Sequence, residues 1–430
     1  MPRAARALLV QNLTQTWRYS VGNQYEQFSF PEGVDVAQVL DEWGHADVGA
    51  AILRTSLTRP PNPYPNWKRG EKLLGWGRHH RLTGDAAGVR AATPALRGYV
   101  AALERQLEPR GLLRRERYSS DIKDEVYGLH TNAVVWQGLR ELAAAWDAIG
   151  RRDDARRART LAAKLERGLR RTVAASQRRL PDGTLFVPVR LLDRETAYRS
   201  LTQERAGSYW NLVAPYALAS GLFAPRSPQA RGALAYMRAH GSRLLGLVRA
   251  GAYALYGRDV RYPVSGTDQV YGINTSRFLA DMGEADELVL SLYGQLAAGM
   301  TRGTFVAGEG ATVARLGGER YRSMYLPPNG ASNGAFLETL RLLLVHELPD
   351  GLELAPATPR SWLAPGKRIV VRRLPTSYGP ISFVLTAGHL SLDVPSRAPR
   401  ELLLRLRRPG STRTVDLSGR TGHVELDLVG

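Results

Sequence analysis

Hydrophobic positions recur at helical spacing through residues 1–347, and Gly, Pro and Asp punctuation divides them into segments. The pattern predicts twelve helices, over residues 5–16, 34–43, 45–57, 68–82, 85–106, 131–149, 152–177, 207–222, 226–246, 268–282, 284–301 and 333–347. This part of the chain is therefore predicted to be mainly α-helical.

The connections between these helices alternate between short and long. The short turns lie at 43–47, 82–86, 149–154, 221–228 and 282–286, and the long loops at 17–33, 58–67, 107–130, 178–206, 247–267 and 302–332. Because a short turn joins antiparallel neighbours, strict alternation brings all six long loops to one end of the molecule. Helix pairs connected in this way close into a double ring. We therefore predict an (α/α)6 toroid, with apolar helices in the inner ring and charged helices outside.

The pattern changes after about residue 348. Short alternating apolar runs appear there, separated by Gly, Pro and Ser, and include RIVVRRL, ISFVLTA and HVELDLV. Such runs are strand and turn signals. We predict a toroidal domain over 1–347 and a small C-terminal β-sandwich over 348–430, whose simplest role is structural support.

The net charge of +19 comes mostly from arginine, and there is no cysteine. The arginines are scattered, and their densest block, 151–179, has the apolar spacing of a solvated outer helix, so we predict no specific nucleic-acid partner. No thiolate site is possible, and the histidines lack metal-ligand spacing, so no metal or cofactor is predicted. The apolar run ALLV near the N-terminus is too short for a signal-peptide core or a membrane span. A cytoplasmic protein or a fragment of a longer secreted protein fits equally.

Acidic side chains on the long loops offer a candidate chemistry. Cleaving a glycosidic bond needs two carboxyl groups facing each other across the sugar. The third long loop carries Asp121, Asp124 and Glu125, and the sixth carries Glu309 between two glycines that would clear space for a substrate. The structural alternative for Asp124 and Glu125 is an acid near a helix start, where the helix dipole favours it. For Glu309 the alternative is a solvent-exposed glutamate on a turn.

Aromatic and polar side chains cluster in the same loops. Sugar rings pack against aromatic faces, while charged and amide groups bind hydroxyls. The predicted substrate contacts are Trp17, Tyr25, Glu26, Trp67, Lys68, Asp121, His130, Tyr209, Trp210, Asn211 and Asp268. The alternative for Asp268 is an ordinary helix start.

Several stretches resemble the six-hairpin glycosidase superfamily, over nearly the whole length of the chain. They are SYWNLVAPYAL, DIKDEVYGLHTNAVVWQGLRELAAAWDAIGR, FVAGEGATV with YLPPNGASNGAFLETL, and TPRSWLAPGKRIVVRRLPTSYGPISFVL. The second and third are similar in layout to the segments that carry acid and base in glucoamylases. The last is similar to the C-terminal β-domain of alpha-L-rhamnosidases. The Trp-Glu pair of the glucoamylase acid segment is absent, and the N-terminal β-sandwich of many relatives does not precede the first helix.

The resemblance implies a glycoside hydrolase acting on an oligosaccharide or polysaccharide. It implies Glu125 or Asp124 as the general acid, Glu309 as the base, and inversion as the commoner stereochemistry. Two other functions remain open. One is a polysaccharide lyase, which needs a Tyr, His or Arg base beside a uronate carboxylate; the arginines and the His130-Thr131-Asn132 stretch could supply it. The other is a carbohydrate-binding protein without catalysis.

Overall fold

The computed structural model describes residues 1–15, 28–202, 204–251, 266–316, 319–395, 402–408 and 411–428. These residues contain twelve α-helices: α1 (Pro2–Gln15), α2 (Glu32–Glu42), α3 (Ala46–Thr58), α4 (Pro65–Thr83), α5 (Ala86–Gln106), α6 (Leu129–Ala148), α7 (Arg152–Ser176), α8 (Arg205–Leu218), α9 (Pro228–Ala239), α10 (Gly272–Met282), α11 (Ala285–Gly294) and α12 (Gly330–Leu344). A π-helical turn, Gln295–Gly299, extends α11. The twelve predicted segments all correspond to helices, which confirms a helix-rich core.

The largest boundary error concerns α9. The prediction extended it to residue 246, but the helix ends at Ala239, and His240 is its C-cap. Gly241 follows with a φ of 77°, a left-handed conformation that glycine adopts without steric cost. The chain then turns into a short strand.

The even-numbered helices contact one another in a closed cycle. Helix α2 contacts α4, α4 contacts α6, and the series continues through α8, α10 and α12 back to α2. Outside them, α1 packs on α12, α3 on α2 and α4, α5 on α4 and α6, α7 on α6, and α11 on α10 and α12. The inner helices are buried on most faces, whereas α7 buries a single stripe.

Glycines allow the closest approach in this ring, between α4 and α6. A Cβ on Gly138 would lie 2.6 Å from the carbonyl oxygen of Gly70, and one on Gly77 would lie 2.6 Å from the backbone carbon of Glu141. Any side chain at these positions would push the two helices apart. The sequence positions of these glycines therefore determine how tightly the two inner helices pack.

Short strands connect the helices at the end where the long loops emerge. They are β1 (Glu116–Arg117), β2 (Glu125–Gly128), β3 (Arg178–Arg179), β4 (Leu185–Phe186), β5 (Arg190–Leu191), β6 (Arg243–Leu244), β7 (Leu247–Ala250), β8 (Gly266–Asp268), β9 (Gly310–Leu316) and β10 (Glu319–Tyr325). Three of them form a sheet in the order β1-β2-β5, and five form a sheet in the order β10-β9-β8-β7-β6. The larger sheet joins the fifth and sixth long loops.

The C-terminal region contains two four-stranded sheets. Their strands are β11 (Val345–Leu348), β12 (Gly351–Leu354), β13 (Ile369–Leu374), β14 (Ile381–Leu385), β15 (His389–Asp393), β16 (Leu403–Arg408), β17 (Ser411–Asp416) and β18 (His423–Asp427). The orders are β11-β12-β16-β17 and β13-β14-β15-β18. Both contribute to one hydrophobic cluster, separate from the helical core, that includes Leu354, Phe383, Leu390 and Leu404. The first of these strands begins directly after α12, three residues before the predicted domain boundary at 348.

Among the residues described above, no helix has both the length and the apolar composition needed to cross a bilayer.

Candidate functional site

A cavity of about 440 Å³ lies among the long loops, next to the N-terminal ends of inner helices. Its lining combines charged and aromatic side chains. The charged ones are Glu32, Lys68, Asp121, Arg205, Asp268 and Glu309, and the aromatic ones are Phe28, Phe30, Tyr64, Trp67, Tyr209, Tyr271 and Tyr325. Side chains distant in sequence meet here because the lining includes residues from each of the six long loops or directly after it.

Two of the cavity acids lie on hydrogen-bonded neighbouring strands. Asp268 ends β8 and is opposite Gly310, the first residue of β9, so it lies beside Glu309. The amide of Gln269 donates to the Glu309 carbonyl oxygen at 2.9 Å, and the Glu309 amide donates to the Tyr325 carbonyl oxygen at 2.8 Å. Backbone hydrogen bonds on both sides therefore fix the position of Glu309.

Asp268 is buried, and no ion pair joins it to a cation of the described residues. Its side chain lines the cavity, the residue is only 3% exposed, and Oδ1 has no hydrogen-bond partner among the described residues. Burial raises the pKa of Asp268 well above its usual range, and the nearby charge of Glu309 raises it further. The pair consequently favours a state in which Asp268 carries a proton.

Gly308, before Glu309, has a role that differs from the expected one. A Cβ at this position would lie 2.7 Å from the carbonyl oxygen of Tyr325. The glycine therefore permits close approach of the backbone of β10, rather than opening space for a substrate.

Glu32 is a third cavity acid, in the first turn of α2. The Tyr271 hydroxyl donates to its Oε1 at 3.1 Å, and Oε2 has no partner within the described ranges. Burial raises the pKa of Glu32, although hydrogen bonds from the backbone, Ser29 and Tyr271 oppose that rise. Glu32 therefore adds a further partly unsatisfied carboxyl group to the cavity.

Asp121, the fourth acid, is exposed and lies in the turn between β1 and β2. The hydroxyl of Tyr209 donates to its Oδ2, and the Ser120 hydroxyl donates to the same oxygen at 3.3 Å. Arg205 donates to its carbonyl oxygen at 2.9 Å. These contacts orient the carboxylate on the solvent side of the cavity.

A buried glutamate holds the first turn of α4, which carries Trp67 and Lys68. The carboxylate of Glu116 accepts hydrogen bonds from the amides of Asn66 at 2.6 Å and Trp67 at 3.0 Å, and from the Thr131 hydroxyl at 3.1 Å. Burial outweighs these bonds and raises the pKa of Glu116 to about 7. Glu116 therefore positions two cavity residues without itself lining the cavity.

Of the predicted substrate contacts, Trp67, Lys68, Asp121, Tyr209 and Asp268 line the cavity, as does the predicted base Glu309. Three others do not. His130 lies beneath Trp67, with ring centroids 4.6 Å apart, and its Nε2 donates to the Tyr118 carbonyl oxygen at 3.1 Å. Burial lowers the pKa of His130 to about 4, so the ring is neutral.

Trp210 and Asn211 belong to the packing around α8. The indole Nε1 of Trp210 donates to the Val187 carbonyl oxygen at 2.8 Å. The Asn211 amide donates to the carbonyl oxygens of Ser242 at 2.8 Å and Arg249 at 2.9 Å. Both side chains are fully buried, so they support the loops that surround the cavity.

Asp124 and Glu125, the acids implied by the resemblance, do not line the cavity. Asp124 has a 63% exposed side chain that accepts from Arg190 at 2.9 Å. Glu125 begins β2, where Val126 is buried, so strand alternation directs Glu125 to solvent. The prediction treated both as residues before a helix, and the intervening strand changes their direction.

Trp17, Tyr25 and Glu26 lie outside the described residues. Several cavity residues were not predicted, namely Glu32, Tyr64, Arg205, Tyr271 and Tyr325. All of these except Tyr325 could have been found from the sequence, because each lies at or directly before the start of a helix that follows a long loop. The described ranges contain no group of three or more His, Cys, Asp or Glu side chains arranged to hold a metal ion.

No protein-family model and no curated protein matches the chain in sequence. Solved structures do match its fold. A wild-type glycosidase superposes with a TM-score of 0.57 at 14% identity, covering 79% of this chain and 96% of the other. A variant glycosidase in complex with glucose gives 0.56 at 15% identity, with the same coverage.

Two larger proteins match as well. The GH78-family rhamnosidase of Bacillus sp. GL1 gives a TM-score of 0.53 at 14% identity, covering 95% of this chain and 42% of the rhamnosidase. A bacterial glucoamylase complexed with acarbose gives 0.54 at 10% identity, covering 76% of this chain and 52% of the glucoamylase. The expected resemblance is confirmed at the level of the fold: this chain has the fold of the six-hairpin glycosidases.

Proposed function

We propose that this chain is a glycoside hydrolase that cleaves a glycosidic bond in the cavity described above. The observation that carries the proposal is the convergence of four carboxyl groups, from four different long loops, on one aromatic-lined cavity. Two of these carboxyl groups, Asp268 and Glu32, are buried without a cationic hydrogen-bond partner among the described residues. Such an arrangement costs stability, and active sites are where proteins retain it.

The cycle of inner-helix contacts supports an (α/α)6 toroid over residues 1–347. In a ring of six loops, the third and sixth lie opposite each other, so Asp121 and Glu309 would face one another across the cavity. Residues 348–430 would form a β-sandwich that supports the toroid.

We assign Asp121 as the general acid and Glu309 as the general base. Asp121 lies on the solvent side, where a leaving group departs and where a carboxyl group regains its proton from water. Glu309 is half-buried and lies beside Asp268, whose raised pKa leaves the negative charge on Glu309. Asp121 therefore replaces Asp124 and Glu125 in the role that the third loop was expected to supply.

The other cavity residues would bind the sugar. A protonated Asp268 can donate a hydrogen bond to a hydroxyl, while Glu32 accepts one. Trp67 and the tyrosines offer ring faces to the sugar. A cavity of this volume is within the usual range of small-molecule sites, which favours a small glycoside or a chain end over the middle of a polymer.

Inversion is the proposed stereochemistry. It requires the two carboxyl groups to stand roughly 6.5–9.5 Å apart, so that a water molecule fits between Glu309 and the sugar. The anomer of the first product, followed by NMR during turnover, distinguishes inversion from retention.

The function is tested by a turnover screen of the full chain against aryl glycosides and polysaccharides, with Glu309→Gln in parallel. We expect sugar release by the wild type and a loss in kcat of about 100- to 10,000-fold in the variant, at unchanged circular dichroism. Full turnover by Glu309→Gln would refute its role as base. An ultraviolet-absorbing unsaturated product would instead identify a lyase.

A further inference from the structure

A second cavity, of about 400 Å³, lies on the outer face of the sheet β13-β14-β15-β18. It shares no lining residue with the proposed catalytic cavity. Along β13, Ile369 and Val371 point into the C-terminal hydrophobic cluster, whereas Val370 is exposed. The cavity therefore occupies the face of the sheet turned away from that cluster.

Three arginines line this second cavity: Arg368, Arg372 and Arg373. All three are exposed, and none makes an ion pair with an acid of the described chain. The serine hydroxyls of Ser382 and Ser391 lie among them. We name this surface, made by the three arginines and two serines, the arginine groove.

A β-bulge places two consecutive arginines on the same face. In a regular strand, adjacent side chains point to opposite faces. Here the register between β13 and β14 shifts between Val371 and Leu374, and Arg373 has a φ of 49°, in the left-handed region. The displaced amide of Arg373 donates to the Ser382 hydroxyl at 3.0 Å. A bulge of this kind re-aims a side chain, and here it doubles the positive charge at one end of the groove.

Two acids of the described residues, Asp393 and Glu425, contact His423, which lines the groove. Asp393 lies at its far end, where its carboxylate is 2.8 Å from Nδ1 of His423. Ser391 contacts Nε2 of the same histidine at 3.1 Å. Within the described residues, no ion pair neutralises the positive charge at the arginine end of the groove.

We propose that the arginine groove binds an acidic polysaccharide. Arg372 lies four positions after Arg368, a spacing of roughly 13 Å along the strand, which suits a chain bearing repeated carboxylates rather than a single small anion. Guanidinium groups bind carboxylates in bidentate geometry, and serines offer partners for sugar hydroxyls. The described groove lining has no exposed Phe, Tyr or Trp ring on which a nucleic-acid base could stack, and the exposed ring of His423 is already bonded by Asp393 and Glu425. This composition favours the glycan over single-stranded nucleic acid.

The proposal is tested by the affinity of the full chain for polygalacturonate, with dextran as the neutral comparison. We expect binding to polygalacturonate alone, weakening with added salt. The variant R368Q/R372Q/R373Q should bind at least about tenfold more weakly, because three charge-assisted contacts are lost. Arg373→Gly retains the left-handed bulge and tests the side chain separately if the triple variant folds poorly.

The matched control is R54Q/R90Q/R167Q, which removes the same charge from exposed positions on outer helices. It should leave the affinity unchanged. Equal weakening by control and groove variants would show that overall charge explains the binding and would overturn the proposal. Absence of polygalacturonate binding, or equal affinity for a single-stranded oligonucleotide through the same arginines, would also overturn it. None of these outcomes depends on turnover, so the proposed hydrolase function is tested separately.

Discussion

Glu338 in the ring interior and Asp268 in the loop-lined cavity are both buried carboxyl groups, but their pKa values are shifted in opposite directions. In the interior, Nε of Arg277 lies 2.7 Å from Glu338 and its Nη1 lies 3.1 Å from Asp35. Burial opposes ionisation of Glu338, yet Arg277 outweighs it and lowers the pKa of that carboxyl to about 2. In the cavity, Asp268 is equally buried, and its pKa is raised by that burial and further by the negative charge of Glu309.

The comparison shows that burial alone does not distinguish a carboxyl group available for catalysis from one that stabilises the fold. Glu338, Asp35 and Arg277 belong to α12, α2 and α10, so their ion pairs connect three inner helices. The carboxyl of Asp268 accepts backbone hydrogen bonds from Val270 and Tyr271, which are close in sequence, and makes no ion pair within the described residues, so its charge would cost stability. Paired acids therefore hold the ring together, while the unpaired ones remain available for a substrate.

The largest expected effect separates Asp121 from its sequence neighbours. Asp121→Asn should lower kcat by about 100- to 10,000-fold, because it removes the proposed proton donor. The loss should be smaller for nitrophenyl glycosides, whose leaving groups need little protonation. Steady-state kinetics on both substrate types measures the difference.

Asp124→Asn and Glu125→Gln are the matched controls, since neither side chain lines the cavity. Each should retain wild-type kcat. If either abolished turnover while Asp121→Asn did not, the assignment of the acid would be wrong.

Breaking the interior ion pairs should chiefly affect stability. Arg277→Met leaves two buried carboxylates without their cation, which should lower the free energy of unfolding by about 3–5 kcal/mol. Urea denaturation monitored by circular dichroism measures it. The exposed pair Arg156–Asp153 provides the comparison, and Arg156→Met should cost at most about 1 kcal/mol. Equal costs for both substitutions would remove the distinction between interior and surface pairs.

The smallest expected change in stability is an increase in the free energy of unfolding. Asp268→Asn removes a carboxyl group whose folded-state pKa is raised, so the wild type loses stability as pH rises above about 4 and through that raised pKa, and the variant does not. We expect the variant to be more stable by about 0.5–2 kcal/mol at neutral pH, with much lower turnover. Near pH 3 the difference should vanish, because Asp268 is protonated in both folded and unfolded chains. A variant less stable at neutral pH would contradict this account.

The helices were predictable because their apolar spacing is set by burial against neighbours, and burial is what holds the ring. The direction in which an acidic side chain points from a loop could not be predicted in this way. Asp124 and Glu125 were misplaced because β2 is only four residues long and pairs with strands from other parts of the chain. Glu309 and Asp268 were predicted to be near a substrate because Glu309 lies on a long loop between two glycines and Asp268 directly follows another long loop. Their mutual proximity depends on the pairing of β8 with β9, which leaves no local signal.

The five-stranded sheet over the fifth and sixth loops has a consequence for engineering. Asp268 and Glu309 share one ladder of backbone hydrogen bonds, so neither can be moved by lengthening its own loop without shifting the other. Lys68 and Asp121 lie outside that ladder, on segments that can be lengthened separately. Attempts to change which substrate is accepted should therefore insert residues near Lys68 and Asp121. The paired strands β8 and β9, which position Asp268 and Glu309, should be left unchanged.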